Sequence, residues 1–413
     1  MNLQIDSQRI VEELEKLSGY SDVPAPAVTR IVFSDADLNA RAYFKGLCEE
    51  SGLTVREDEV GNTFARWTGS DPSLAAVGTG SHIDAIPHSG RYDGTVGVFG
   101  GLEAIRALQR SGYRPKRSIE LLLFTSEEPT RFGIGCLGSR MLSGTLTADA
   151  AQKLTDSDGK SLDEVRTEAG FDGPLESVEL CAGYYDSFVE LHIEQGPLLE
   201  RNNLALGVVT AIAAPSSLRV KIEGDGGHAG AMLMPGRRDA FLAAAELALA
   251  VEQAVKSTGA IDTVGTVGVC KVFPGAVNSI PSKCEIEIDV RDIEAARRDG
   301  VLRAIHQAAR EINARRQTRT SIETINADAP AVCSPKIIGA LVRSCDALGF
   351  PHQLMVSRAY HDSLFISRIA PVAMLFIRCR GGYSHRPDEY SSPEDIAAGT
   401  HALALTLAEL SAK

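Results

Sequence analysis

The order of apolar and polar positions divides the chain into three stretches. Residues 8–19 and 37–52 repeat apolar positions at helical spacing, strand-length apolar runs follow at 75–79 and 118–124, and a helical stretch lies near 97–111. Another strand runs from Phe188 to Ile193. Strand and helix signals in alternation predict a mostly parallel sheet with helices on both faces. Near Ala213 the rhythm changes to strand 217–223, helix 237–256, strands 262–273 and 283–291, helix 293–315 and strand 319–325. This βαββαβ order is that of the ferredoxin-like split motif. In its third strand Cys284, Ile286, Ile288 and Val290 alternate with Glu285, Glu287, Asp289 and Arg291, giving one apolar and one polar face. Beyond Ala327 come a helix near 335–348, a helix around 361–369, a strand at 372–377 and a last helix at 393–411, opened by Ser391, Ser392 and Pro393.

The expected fold is therefore α/β, with a mixed, mostly parallel sheet flanked by helices and an inserted α+β ferredoxin-like domain. A candidate site histidine, His385, lies in the third stretch, so the chain must re-enter its first domain after the insertion. The expected boundaries are 1–212 and 328–413 for a discontinuous catalytic, metal-binding domain and 213–327 for the insert. A chain of 413 residues also exceeds what one core usually organises.

Charge narrows the partners. A net charge of -12 opposes non-specific binding to nucleic acid or anionic membranes. No apolar run reaches the ~18–20 residues of a membrane span. The opening MNLQIDSQRIVEELEKL lacks the basic-then-apolar layout of a signal peptide. Eight scattered cysteines without a C-x-x-C pair read as free thiols in a reducing compartment. A cytoplasmic protein acting on a small molecule is the expectation.

The chemistry lies in turns beside apolar runs. In GSHIDAIPHSGRYDG, His82 can bind metal while Asp84 steadies its second ring nitrogen, and Asp93 can give one oxygen to each of two ions. In LLLFTSEEP an apolar strand ends in two adjacent carboxylates that repel unless cations or a proton intervene. Their side chains point apart, which gives Glu128 to a metal and Glu127 to a water as proton shuttle. ELHIEQGP offers His192 as a further ligand and Gln195 as a donor to an amide or urea oxygen, and GGYSHRPDEY offers His385. Imidazole and carboxylate without thiolate suit Zn²⁺, Mn²⁺, Co²⁺ or Ni²⁺.

GSHIDAIPHSGRYDG, FTSEEPTRFG, ELHIEQGP, GGHAGAMLMPGRRDA, VNSIPSKCEIEIDVRD and SHRPDEYSSPED together resemble the amidase/hydantoinase/carbamoylase branch of the aminoacylase-carboxypeptidase metallohydrolases, in order and over nearly the whole chain. The resemblance implies two divalent ions per subunit, manganese foremost. One would be held by His82, Asp93 and His192 and the other by Asp93, Glu128 and His385, with Glu127 as general base. It implies a homodimer through the insert, with His228 crossing the interface to stabilise an oxyanion. Asn278 and Arg291 match the branch's substrate-gripping positions, and a guanidinium fork suits a carboxylate.

Carbamoyl-amino-acid and allantoate hydrolases of this branch generally carry a glycine-rich stretch where Arg358, Ala359 and Tyr360 precede His361 and Asp362 here. That likeness implies a small hydroxylated ureido carboxylate as substrate, lined by Tyr360, His361 and Gln195. The carbamoyl-amino-acid and allantoate activities are the rivals from the same branch. A non-catalytic ligand-binding protein is the rival from another class.

Overall fold

The computed structural model describes residues 3–413. It contains two compact units: Met1–Thr210 with Cys333–Ser357 and His361–Lys413, and Ala211–Val332 with Arg358–Tyr360. Relative to the sequence expectation the insert begins two residues earlier and ends five later. It also takes up Arg358–Tyr360, whose side chains make partners there: Arg358 pairs with Asp262, and the Tyr360 hydroxyl donates to Asp328 at 2.5 Å.

The first unit is built on a sheet whose central strands, Val372–Ile377, Tyr185–Ile193, Ala76–His82 and Ile119–Phe124, lie side by side and parallel. The two flanks are antiparallel: Thr63–Trp67 and Thr54–Glu57 on one side, Leu206–Ile212 on the other. Every residue of Ala76–His82, Ile119–Phe124 and Val372–Ile377 is buried. Strands buried on both faces need apolar residues at consecutive positions rather than at alternate ones, and these runs have them. The helices Thr95–Arg110 and Pro393–Ser411 pack against the sheet and each other. The second begins where Ser392 accepts the N–H of Asp395 and Pro393 gives up no bonded donor. A separate apolar cluster joins Leu122, Phe124 and Phe188 to Leu137, Leu142 and Val372.

The second unit is a four-stranded antiparallel sheet in the order Val264–Phe273, Lys283–Asp292, Ala214–Glu223, Arg319–Ala327. The sequence's alternation is realised in it. Cys284, Ile286, Ile288 and Val290 are buried with residues of the helices Ala240–Lys256 and Ala295–Arg316, while Glu287 pairs with Arg219 on the polar face. A short added pair joins Gly227–His228 to Ser279–Ile280. Among the described residues no helix is long and apolar enough to cross a membrane.

Candidate dinuclear metal centre

Because the central strands run parallel, their carboxyl ends meet along one edge of the sheet, where open α/β sheets form their binding crevices. His82 ends one strand, Glu127 and Glu128 follow the strand that ends at Phe124, and His192 is the penultimate residue of a third. The fourth central strand leads into the 378–390 loop that carries His385.

Asp93 is the hub. Its Oδ1 lies 3.2 Å from His192 Nε2 and 3.8 Å from His82 Nε2, and its Oδ2 lies 3.2 Å from His385 Nε2. His385 Nε2 is 3.3 Å from Glu128 Oε1. One donor atom each from His82, Asp93 and His192 falls within 4.8 Å of the others, and so does one each from Asp93, Glu128 and His385. The two triads share Asp93, one carboxylate oxygen facing each. His82 and His192 both turn Nδ1 to a main-chain carbonyl, of Asp84 at 3.1 Å and of Ile193 at 2.9 Å. That leaves Nε2 as the inward nitrogen, the tautomer a metal ligand requires.

Asp84 meets the second ring nitrogen of His82 as expected, with its carbonyl at 3.1 Å and its carboxylate Oδ1 at 3.6 Å, and its carboxylate has a second task. It accepts the backbone N–H groups of Glu127 at 3.2 Å and Glu128 at 2.9 Å. Glu127 then places Oε2 3.7 Å from His82 Nε2 and accepts the thiol of buried Cys136 at Oε1.

The charges of this cluster are unbalanced without a cation. Burial, together with the nearby Glu128 and Asp362 carboxylates, pushes Glu127 well above the usual carboxylate range, and burial raises Glu128. Burial opposes a proton on His82, but Glu127, Asp84 and Asp93 outweigh it and raise His82 well above 6.5. Hydrogen bonds to Asp93 and Glu128 push His385 up to about 11, while those from His192 and His385 hold Asp93 far below 3.8 against its burial. Imidazoles and carboxylates here share protons that divalent ions would replace, so the donor set and its spacing fit two such ions.

Glu389 gave no separate signal in the sequence. Its Oε1 accepts the N–H groups of Tyr92 at 2.7 Å and Asp93 at 3.0 Å, and its Oε2 lies 2.9 Å from Ser384 Oγ, which also reaches Asp93 Oδ2 at 2.6 Å. The visible cue was the acidic pair that follows His385 in SHRPDEY. Gln195, expected to face substrate, gives its amide to Asp93 Oδ2 at 2.8 Å. His361 is buried, with its ring 4.6 Å from that of His192 and Nε2 2.9 Å from Ser357 Oγ, so it backs a ligand where a pocket lining was expected. A third close group, Glu190, His192 and His361, is supporting structure: Glu190 accepts from Ser81 Oγ and from the Ser363 amide.

The remaining expected residues belong to the second unit. His228 is exposed, and its Nδ1 accepts the N–H groups of Gly230 and Ala231 at 3.1 and 3.2 Å, so Nε2 carries the hydrogen and is a donor. Asn278 is exposed nearby and accepts the Ala229 N–H at its main-chain carbonyl. Arg291 pairs with Asp289 through Nε at 2.8 Å and donates to the Arg358 carbonyl at 3.4 Å. The Tyr360 hydroxyl, expected to meet substrate, is engaged by Asp328.

Residues 78–409 match peptidase family M20/M25/M40. The chain belongs to this family and is a metal-dependent amidohydrolase. It is 54% identical to ureidoglycolate hydrolase of Arabidopsis thaliana over 99% of this chain and 88% of that protein. A solved structure of AtUAH in complex with (S)-hydroxyglycine, 53% identical, superposes with a TM-score of 0.90 over 100% of this chain and 99% of that one. N-carbamoyl-L-amino acid amidohydrolase of Geobacillus stearothermophilus is 37% identical over 98% of this chain and 99% of that protein.

Proposed function

We propose that this protein hydrolyses (S)-ureidoglycolate, releasing ammonia and, after decay of the products, glyoxylate, carbon dioxide and a second ammonia, as a step of purine and allantoin breakdown. His82, Asp93 and His192 would hold one divalent ion and Asp93, Glu128 and His385 the other. Manganese is the ion we favour, with zinc, cobalt and nickel compatible with the same ligands. Such ions act as Lewis acids, polarising a carbonyl and lowering the pKa of water from ~15.7 towards ~7.

Glu127 takes the proton of the attacking water, whose oxygen adds to the ureido carbonyl carbon. His228, contributed by a partner subunit, donates through Nε2 to the oxygen that gains charge. Glu127 then returns the proton to the terminal nitrogen, which leaves as ammonia while the carbonyl reforms. The carbamate left behind loses carbon dioxide, and the resulting hydroxyglycine loses ammonia to give glyoxylate. Arg291 and Asn278 grip the substrate carboxylate. Gln195 acts chiefly by steadying Asp93, His361 by backing His192, and Tyr360 by fixing the segment beside Arg291.

The observation that carries the substrate choice is the gap in likeness, 54% identity to a ureidoglycolate hydrolase against 37% to a carbamoyl-amino-acid amidohydrolase, both across nearly the full chain. The rival activities, on N-carbamoyl-L-amino acids or allantoate, use the same centre. Ammonia and glyoxylate release should be measured with Mn²⁺ across all three substrate types. Faster turnover of a carbamoyl amino acid would overturn the choice.

A homodimer through the inserted unit is part of this reading. Its edge strand Val264–Phe273 is uncovered along one side, and Phe241, Leu242 and Leu249 stand exposed on the helix Ala240–Lys256. Exposed apolar groups beside an open strand edge favour a second subunit. Sedimentation showing only monomer during turnover would remove His228 from the partner's site. A cytoplasmic location accords with the acidic chain and free thiols.

A further inference from the structure

The two loops that supply the shared aspartate and the half-exposed histidine lie far apart in sequence, and one buried carboxylate joins them. Glu389 is 4% exposed. Through Oε1 it takes the main-chain N–H groups of Tyr92 and Asp93, and through Oε2 it meets Ser384, the residue before His385. The fit around it is close: a Cβ at Gly90 would come within 2.4 Å of Glu389. His385 needs such support more than the other histidines do. His82 and His192 are buried in strands with Nδ1 fixed by main-chain carbonyls, whereas His385 sits on a loop with φ of 60° and a side chain 47% exposed.

We infer that Glu389 is a positioning residue that sets occupancy of the second metal position by clamping the Asp93 turn to the Ser384–His385 loop. The inference rests on the two-ion reading above but not on the identity of the substrate. It works through hydrogen-bond pattern: an acceptor for two amides at one end and a group that bonds a hydroxyl at the other. Glutamine offers both, with its carbonyl to the amides and its NH₂ to Ser384 Oγ. Alanine offers neither.

The test is equilibrium dialysis of the holoenzyme against falling free Mn²⁺, with bound manganese counted per chain. Wild type should retain two ions. Glu389→Ala should lose the second roughly 10–100-fold more readily, the usual effect of removing a group that orients a ligand, and should weaken the first less, since His82 and His192 stay fixed in their strands. Glu389→Gln should stay within a few-fold of wild type. Should Glu389→Ala fail to fold, Ser384→Ala cuts the same link at its other end and should weaken the second ion several-fold. Two ions held normally by the alanine variants, or a glutamine variant as weak as alanine, would overturn the inference. A wild type that never holds two ions would instead sink the two-ion reading itself.

Discussion

The carboxylate of Asp84 accepts the backbone N–H of Glu128 at 2.9 Å, and its other oxygen takes that of Glu127 at 3.2 Å. One side chain thus orients the candidate base and its neighbouring ligand through their main chain, while its own carbonyl holds His82. Asparagine at this position would turn an NH₂ toward one of two N–H donors. Asp84→Asn should lower kcat/KM for ureidoglycolate roughly 10–100-fold, as loss of a supporting hydrogen bond to a metal site does. Unchanged kinetics would show that the backbone turn stands without it.

Glu127 touches His82 but belongs to neither triad. Glu127→Gln should therefore keep two bound ions, counted by elemental analysis, yet lose about 10²–10⁴-fold in turnover, the range for a positioned general base. Retained turnover would assign the proton transfer to a group other than Glu127.

Gly94 has φ of 66°, and a Cβ there would come within 2.4 Å of the His82 ring. Gly94→Ala places a side chain in a conformation costing about 1–3 kcal/mol and pushes on a ligand as well. The expected result is a lower melting temperature together with weaker metal retention. A variant that melts lower but binds Mn²⁺ normally would confine the effect to the backbone.

Asp292 tests acid stability away from the metal ligands. It accepts from Thr263 Oγ1 at 2.6 Å, from Arg297 at 2.6 and 2.8 Å, and from the Glu294 N–H at 2.8 Å. Burial alone would raise its carboxyl, but these bonds outweigh it and hold the group below 3.8. A depressed folded-state pKa means stability present above about pH 3.8 that is lost as pH falls through the lower folded value. Asp292→Asn should destabilise the inserted unit at pH 7, with the difference from wild type shrinking below pH 3.8. Urea melts at the two pH values measure this, and a gap that stays constant would show that charge is not the cause.

Much of this architecture was legible in the sequence because its signals are local. The run Ile119–Phe124 and the alternation at Cys284–Val290 record which faces are buried, and the Ser392-Pro393 signal places the start of the last helix. The outer strands Thr54–Glu57 and His352–Ser357 are short and half-buried, so their apolar pattern is weak. The helix expected around 361–369 shrinks to Ser363–Ile366, for Asp362 and Ser363 are drawn into contacts with Ser139 and Glu190. Metal-ligand residue types declare themselves by chemistry, whereas Glu389 acts through hydrogen bonds to positions hundreds of residues away. Sequence spacing likewise does not say whether Gln195 or Tyr360 spends its polar atoms on a substrate or on a neighbour.

The sharing of Asp93 between residues from both ends of the chain bears on biosynthesis. A ribosome releases His82, Asp93 and His192 long before His385, so a growing chain has at most one complete ion cradle. On the proposed two-ion reading, full cation loading is then a late event, reserved for polypeptides finished nearly to their last helix.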